Sequence, residues 1–464
     1  MIIKDIPPQK IGLLMLLVLF FILKIPTMNV QYFWDESIAV SQVLVTLKEN
    51  LNPILPSPSY GIGHPPFFYL TGALFYLFFG ESPIVSHIYT LIFSLITIYF
   101  TYLLGNKLIG KTAGVIASAL LMFCPVFFSQ SGIFLSDMPL TALTVATLYF
   151  ALNHDTKKYL ITGSILVLIK EPGVITIFSI LLFSFIENIK LDKKQLIKTL
   201  FILCIPLFIY FCWLVYHYFV KGWFFYQPWL NTITYPGYKL YDILKWVFFD
   251  QFRFIGLVFI ASMILSGKYK YIFNKKMSLL WFNIFGYIFL FSGFSFFLPR
   301  YLLPIFSLLF ILFSIPLLQL NKNIKFLTIL VVIFLFFTQW FGERNIHDGI
   351  LLESNMEYLD LVRSHKLTID YILKNYPLDT VIFTDSPITD DLLQPFLHYT
   401  DKPFLNIIRV EDTVIDVNNI QLVVIPQQST FFYEFKEKIA QMNLSLIKEY
   451  NINGKITEIY KNEI

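Results

Sequence analysis

An all-α polytopic membrane bundle followed by a small α/β domain is the architecture this sequence predicts, and three observations predict it. The first is composition: of 464 residues, 56% are hydrophobic, 18% aromatic and only 14% charged, far more apolar surface than a soluble protein of this size needs. The second is grouping. The apolar residues come in runs of roughly 17 to 22, about the length a helix rising ~1.5 Å per residue needs to cross ~30 Å of hydrocarbon. The third is a change of character near Gly342, beyond which charged residues are frequent and no apolar run is long enough to span.

The first span runs from Ile11 to about Pro26, behind Lys4 and Lys10. It lacks a small-x-small cleavage site and reads as a retained helix, not a signal peptide. Further spans fit near residues 85–105, 112–128, 138–152, 158–170, 172–187, 199–219, 243–265, 278–298, 302–319 and 325–341, about eleven in all. One alternate set of connections holds most of the lysine: Lys107 and Lys111; Lys157 and Lys158; Lys190, Lys193, Lys194 and Lys198; Lys268, Lys270, Lys275 and Lys276; Lys322 and Lys325. By the positive-inside rule these face the cytoplasm. The chain is therefore expected to be a multi-pass plasma-membrane protein, N-terminus in and C-terminus out.

The opposite connections carry the unusual residues. A first outer loop, 31–84, is polar and proline-rich at its centre, and its second half, Phe67 to Phe79, is an apolar stretch of about 13 residues that is expected to lie in the interface. A second outer segment, Lys221 to Tyr241, is rich in Trp, Tyr, Pro and Gly, which suits rings held at headgroup depth. The expected division is a transmembrane catalytic domain over 1–341 and an extracytoplasmic α/β domain over 342–464. In the latter, short strands at Thr380–Thr384, Phe404–Ile408 and Gln421–Ile425 alternate with helix-like stretches near 355–376, 388–399 and 430–442. The net charge of +4 is small and its lysines lie between spans, so nucleic acid is excluded as a partner. Cys124, Cys204 and Cys212 lie in apolar runs without metal-ligand spacing and are expected as free thiols.

Five outer features carry chemistry. Trp34-Asp35-Glu36-Ser37 sets two adjacent carboxylates just beyond the first span, suited to a general base for an acceptor hydroxyl or to holding a divalent cation, and otherwise ordinary loop acids. Gly63-His64-Pro65-Pro66 pins an imidazole before the interfacial helix, where it would donate to a phosphate or orient a carboxylate, if it is not incidental to a turn. Asp137, before Pro139, stands at the outer start of a helix, where an acid also serves as a cap. Lys170-Glu171-Pro172-Gly173 interrupts an apolar stretch on the outer side. It is either a hairpin turn or a lysine aimed at an anionic headgroup. Pro299-Arg300-Tyr301 is a very short outer turn whose guanidinium either forks onto phosphate or snorkels to the interface. Taken singly, each has a bland reading. The topology nevertheless sorts Asp35, Glu36, His64, Asp137, Lys170 and Arg300 onto one membrane face, which is what transfer from a lipid-phosphate donor requires.

This ordered set resembles the polytopic GT-C glycosyltransferases, especially the dolichyl-phosphate-mannose protein mannosyltransferases and their prokaryotic relatives, including the lipid A aminoarabinose transferases. The resemblance implies inverting transfer of a sugar from a polyprenyl-phosphate donor to a glycan, lipid or protein acceptor. It makes Asp35 the catalytic base with Glu36 beside it, and gives His64, Asp137, Lys170, Arg300 and Tyr301 to the donor phosphate. A divalent cation, Mg or Mn, would fall to Asp35 and Asp137. The sequence lacks an inserted trefoil-like domain and a Trp-Trp-Asp motif, which weighs against a protein acceptor and against en bloc oligosaccharide transfer. A transporter or flippase of lipid-linked saccharides is the alternative. It would be expected to show repeats and broken helices near mid-membrane, whereas here the polar residues gather at one face. A non-enzymatic scaffold would leave the clustered outer turns without a use.

Overall fold

The computed structural model describes residues 8–51, 63–189, 192–341, 353–410, 419–426, 437, 439, 440 and 442–463. The centre of the first outer loop and most of the helix expected over 430–442 lie outside the described residues. Within them, helices form at Pro8–Lys24, Pro83–Leu108, Lys111–Phe123, Asp137–Leu152, Thr156–Ile169, Gly173–Asn188, Lys193–Lys221, Ser278–Ser292, Leu303–Leu318 and Lys322–Thr338, each on an expected span. Four stretches, Lys10–Thr27, Pro83–Leu108, Lys193–Lys221 and Pro299–Leu318, are long and apolar enough to cross a membrane by length and composition. Several starts are capped as their residues dictate: Ser82 accepts from Val85 N, Asp155 from Lys158 N and Asn321 from Ile324 N, each satisfying a helix N–H that has no intrahelical partner.

The Leu303–Leu318 helix is the post around which the bundle is built. In Pro299–Leu318, 94% of the apolar stretch is buried, against 11% in Lys193–Lys221, so the first is core and the second periphery. The post packs against Lys111–Phe123, Asp137–Leu152, Phe254–Leu265 and Ser278–Ser292. The peripheral helix exposes Phe201, Phe208, Phe211 and Phe219, a surface suited to lipid and costly in water. The Pro83–Leu108 and Lys111–Phe123 helices touch through glycine: a Cβ on Gly105 would stand 2.9 Å from Gly114 Cα. Small residues allow such close backbone approach between membrane helices.

One expected span, 243–265, is broken. It consists of Leu240–Phe248, a 3-10 turn at Asp250–Phe252 and Phe254–Leu265, with Gln251 and Phe252 at φ 54° and 62°. The cause is Arg253, which is buried. Its Nε donates to Val247 O at 2.9 Å and a terminal nitrogen donates to Gln251 Oε1 at 2.6 Å, while the other terminal nitrogen bonds Trp246 O. Breaking the helix frees carbonyls that the guanidinium then satisfies. The expected interfacial helix forms over Phe67–Phe79 and is ended by Gly80 at φ 81°.

In the C-terminal region, strands β1 (Val381–Thr384), β2 (Asn406–Arg409), β3 (Leu422–Pro426), β4 (Leu444–Ile452) and β5 (Lys455–Asn462) form one sheet in the order β2-β1-β3-β5-β4. β2, β1 and β3 run parallel, while β5 is antiparallel to both β3 and β4. The first three strands match the expected ones. The β4–β5 hairpin was not expected, although its turn is Asn453-Gly454 with both residues at positive φ, the residue pair that a tight hairpin turn favours. The Tyr358–Asn375 helix covers β4 and β5. The sheet region docks on the helices through Tyr399, whose hydroxyl donates to Tyr32 O at 3.2 Å, and through His398 against Glu81 at 2.9 Å.

Candidate active site

Local rules place four charged side chains at neighbouring helix ends. Asp35 is the residue before the Glu36–Lys48 helix, Asp137 opens Asp137–Leu152, Lys170 follows Thr156–Ile169, and Arg300 lies in the 3-10 turn Pro299–Leu302 ahead of the central post. They converge. Lys170 Nζ donates to Asp137 Oδ1 at 2.8 Å, Arg300 pairs with Asp35 through a terminal nitrogen, and Arg300 Nε stands 3.6 Å from Asp137 Oδ2. Asp137 stands in the first turn of its helix, and its side chain accepts from Lys170. Asp137, Lys170 and Arg300 are buried, whereas Asp35 keeps 33% of its side chain exposed. Asp35 is thus the member of the group that solvent or a substrate reaches. Tyr301 joins as a platform: its ring lies 4.9 Å from Lys170 Nζ and 5.5 Å from the Arg300 guanidinium, and it stacks on Phe291. Aromatic faces next to cations lower the cost of burying them.

A fifth member, Glu353, was not foreseen. Its carboxylate bonds the remaining terminal nitrogen of Arg300. Its backbone carbonyl is clamped by Ser129 Oγ and Gln130 Nε2, both at 3.0 Å. The next carbonyl, Ser354 O, accepts from Gln251 Nε2 at 2.9 Å, so the broken helix at Gln251 and its buried Arg253 prop the segment that delivers Glu353. Burial pushes the Glu353 carboxyl up to about 7, with Arg300 opposing and the Asp35 and Asp137 charges adding to the rise. No periodicity or motif surrounds Glu353. Its only signal in the sequence is an acid a short distance beyond the last span.

Glu36 and His64 bond residues outside this group. Glu36 is 1% exposed and its oxygens accept from Phe33 N at 2.7 Å, Phe134 N at 2.5 Å and His87 Nε2 at 3.2 Å. Its carboxylate ties the segment that follows the first span to the 131–136 turn. The His64 Nδ1 faces Glu171 at 2.9 Å. Burial pushes the Glu171 carboxyl up, but the His64 and Lys170 charges more than offset it and leave it below the usual carboxylate range. His64 thus orients the residue adjoining Lys170. Between Asp35 and Asp137, the pair suited to a divalent cation, stands the Arg300 guanidinium. Among the described residues no group of three or more His, Cys, Asp or Glu is placed to hold a metal ion.

Residues 63–216 match the sequence pattern of the dolichyl-phosphate-mannose-protein mannosyltransferase family, a stretch that contains His64, Asp137 and Lys170 but neither Asp35 nor Arg300. No curated protein matches the chain by sequence. Among solved structures, ArnT from Cupriavidus metallidurans bound to undecaprenyl phosphate superposes with a TM-score of 0.62 at 12% identity, covering 96% of this chain and 97% of that one. The same protein in the apo state gives 0.61 at 10% identity over the same shares. The archaeal oligosaccharyltransferase AglB from Archaeoglobus fulgidus, in complex with an inhibitory peptide and a dolichol-phosphate, gives 0.52 at 12% identity over 97% of this chain and 74% of that one. The fold is thus shared with ArnT over 96% of this chain, and the stretch that matches the mannosyltransferase pattern lies inside that shared fold.

Proposed function

We propose that this protein transfers a sugar from a polyprenyl-phosphate donor to an acceptor hydroxyl at the outer face of the membrane, with inversion at the anomeric carbon. The observation that carries the proposal is the meeting of Asp35, Asp137, Lys170 and Arg300 at adjoining helix ends. Two cations beside a reachable carboxylate meet the two electrostatic needs of the reaction. Negative charge builds on the departing phosphate, where Lys170 and Arg300 would receive it, and a proton must leave the attacking hydroxyl, which Asp35 would take. In the single displacement the acceptor oxygen bonds to the anomeric carbon as that carbon's bond to the phosphate oxygen breaks. Polyprenyl phosphate leaves and the proton rests on Asp35. Asp137 holds Lys170 in place, and His64 and Glu171 brace the turn that presents it.

The carrier class is supported by the undecaprenyl phosphate bound to ArnT and the dolichol-phosphate bound to AglB. The outer orientation rests on the lysine-rich connections, which set residues 342–464 outside as well. The acceptor is a glycan, a lipid or a protein.

The test is turnover of purified protein in nanodiscs loaded with undecaprenyl-phosphate-linked sugars, read as release of undecaprenyl phosphate with sugar appearing on an acceptor. Asp35→Asn is expected to bind donor and to lose turnover by about 10²- to 10⁴-fold, the usual worth of a positioned general base. A folded, donor-binding Asp35→Asn protein working at the parental rate would remove the base from the mechanism. Vectorial movement of intact donor without sugar release would replace the enzyme with a transporter.

A further inference from the structure

We infer that Glu353 is a stand-in for the donor phosphate: its carboxylate holds, on Arg300, the place the phosphate takes, and donor binding evicts it. This rests on the donor reading above and adds to it a residue that gates the site.

As Arg300 stands, carboxylates crowd each of its three nitrogens. One terminal nitrogen bonds Glu353, the other bonds Asp35, and Nε faces Asp137 at 3.6 Å without making a hydrogen bond. A guanidinium recognises phosphate best through two parallel N–H bonds from one edge. Something must therefore leave before the fork opens. The charges say the same: the three carboxylates Asp35, Asp137 and Glu353 surround the two cations Lys170 and Arg300, an excess of one negative charge when all are ionised. A further anion would enter this buried site against that excess.

Of the three acids, Glu353 is the one built to yield. Asp137 is fixed at a helix start and paired with Lys170. Asp35 faces the accessible side, where the acceptor hydroxyl must come. Glu353 stands in a short 3-10 turn whose backbone is held independently of its side chain, by Ser129, Gln130 and, one residue on, Gln251. Among the described residues, its carboxylate has Arg300 as its one side-chain partner. The carboxylate can swing out or take a proton while the segment stays anchored. A carboxylate and a phosphate make the same demand on a guanidinium, oxygens in a plane accepting N–H bonds, so the one serves as placeholder for the other and keeps Arg300 aimed before donor arrives. The charged groups facing Glu353 are Arg300, Asp35 and Asp137, and Lys170 acts on it through Asp137.

The experiment measures undecaprenyl phosphate binding to the full-length protein in nanodiscs across pH 6 to 8, for the parent, Glu353→Gln, Glu353→Ala and Arg300→Gln. A carboxyl pushed up to about 7 leaves roughly a tenth of the parent competent at pH 8 and most of it at pH 6, and apparent affinity scales with the competent fraction. Both Glu353 variants are therefore expected to bind about tenfold more tightly than the parent at pH 8 and about equally at pH 6. The lipid's own phosphate titrates in this range, but equally for every protein, so the ratio to the parent carries the answer. Arg300→Gln is expected to lose binding throughout. Folded Glu353 variants that bind no more tightly than the parent at pH 8, while Arg300→Gln abolishes binding, overturn the placeholder and leave the donor reading intact. Absence of binding in the parent and both Glu353 variants at every pH removes the donor reading, and the placeholder with it.

Discussion

At the residue scale, adjacency in sequence and adjacency in space part company at Asp35 and Glu36. Successive residues at a helix start point about 100° apart, so one carboxylate meets Arg300 and the other turns inward to Phe33, Phe134 and His87. The two positions should therefore fail differently when changed. Glu36→Gln leaves buried N–H groups poorly satisfied and is expected to lower stability by about 1–3 kcal/mol, seen as a lower unfolding midpoint in detergent, with activity falling only as the folded fraction falls. Asp35→Asn is expected to leave the midpoint in place and remove turnover. An Asp35→Asn protein that unfolds early, or a Glu36→Gln protein that is stable and inactive, would exchange these roles. The grouping of Lys170, Arg300 and Asp137 was legible because a chain that crosses a membrane sorts its turns onto two faces, although each residue alone also had a bland reading. Glu353 was not legible, because its placement depends on Gln251 and Arg253, about a hundred residues earlier, and on Ser129 and Gln130, more than two hundred earlier.

At the scale of elements, apolar run length gave most helices to within a few residues, since hydrocarbon thickness and helix rise fix that length from outside. The 243–265 run shows where the rule stops. Its summed hydropathy suits a span, yet one buried arginine takes up main-chain carbonyls and breaks it. The β4–β5 hairpin carries its signal in the Asn453-Gly454 turn, whereas β4 is half exposed and too polar to show as an apolar run. Helix contact is the most testable feature at this scale. A Cβ on Gly114 would stand 2.4 Å from Tyr102 O and 3.0 Å from the Tyr102 ring. Gly114→Leu is expected to force the Pro83–Leu108 and Lys111–Phe123 helices apart and to cost at least the 1–3 kcal/mol of ordinary overpacking. Thermal unfolding in detergent would register it, and an unchanged midpoint would mean that the two helices do not touch there.

Over the whole molecule, the post helix, the broken helix and the C-terminal segment form one support for Arg300. The post begins immediately after it, the Gln251 turn holds the segment bearing its Glu353 partner, and the sheet region behind that segment is tied to the first outer loop through Tyr399 and Tyr32. The loop with Asp35 and the region with Glu353 thus close over the guanidinium from two sides. In the proposed mechanism that guanidinium is the seat of a lipid phosphate. A structure of the protein with undecaprenyl phosphate bound decides it most directly. Phosphate oxygens are expected within hydrogen-bonding distance, about 2.7–3.2 Å, of both Arg300 and Lys170, with Glu353 turned away and the Asp35 carboxylate facing the open side. A phosphate seated elsewhere, with the Arg300 pairs to Asp35 and Glu353 undisturbed, would contradict it.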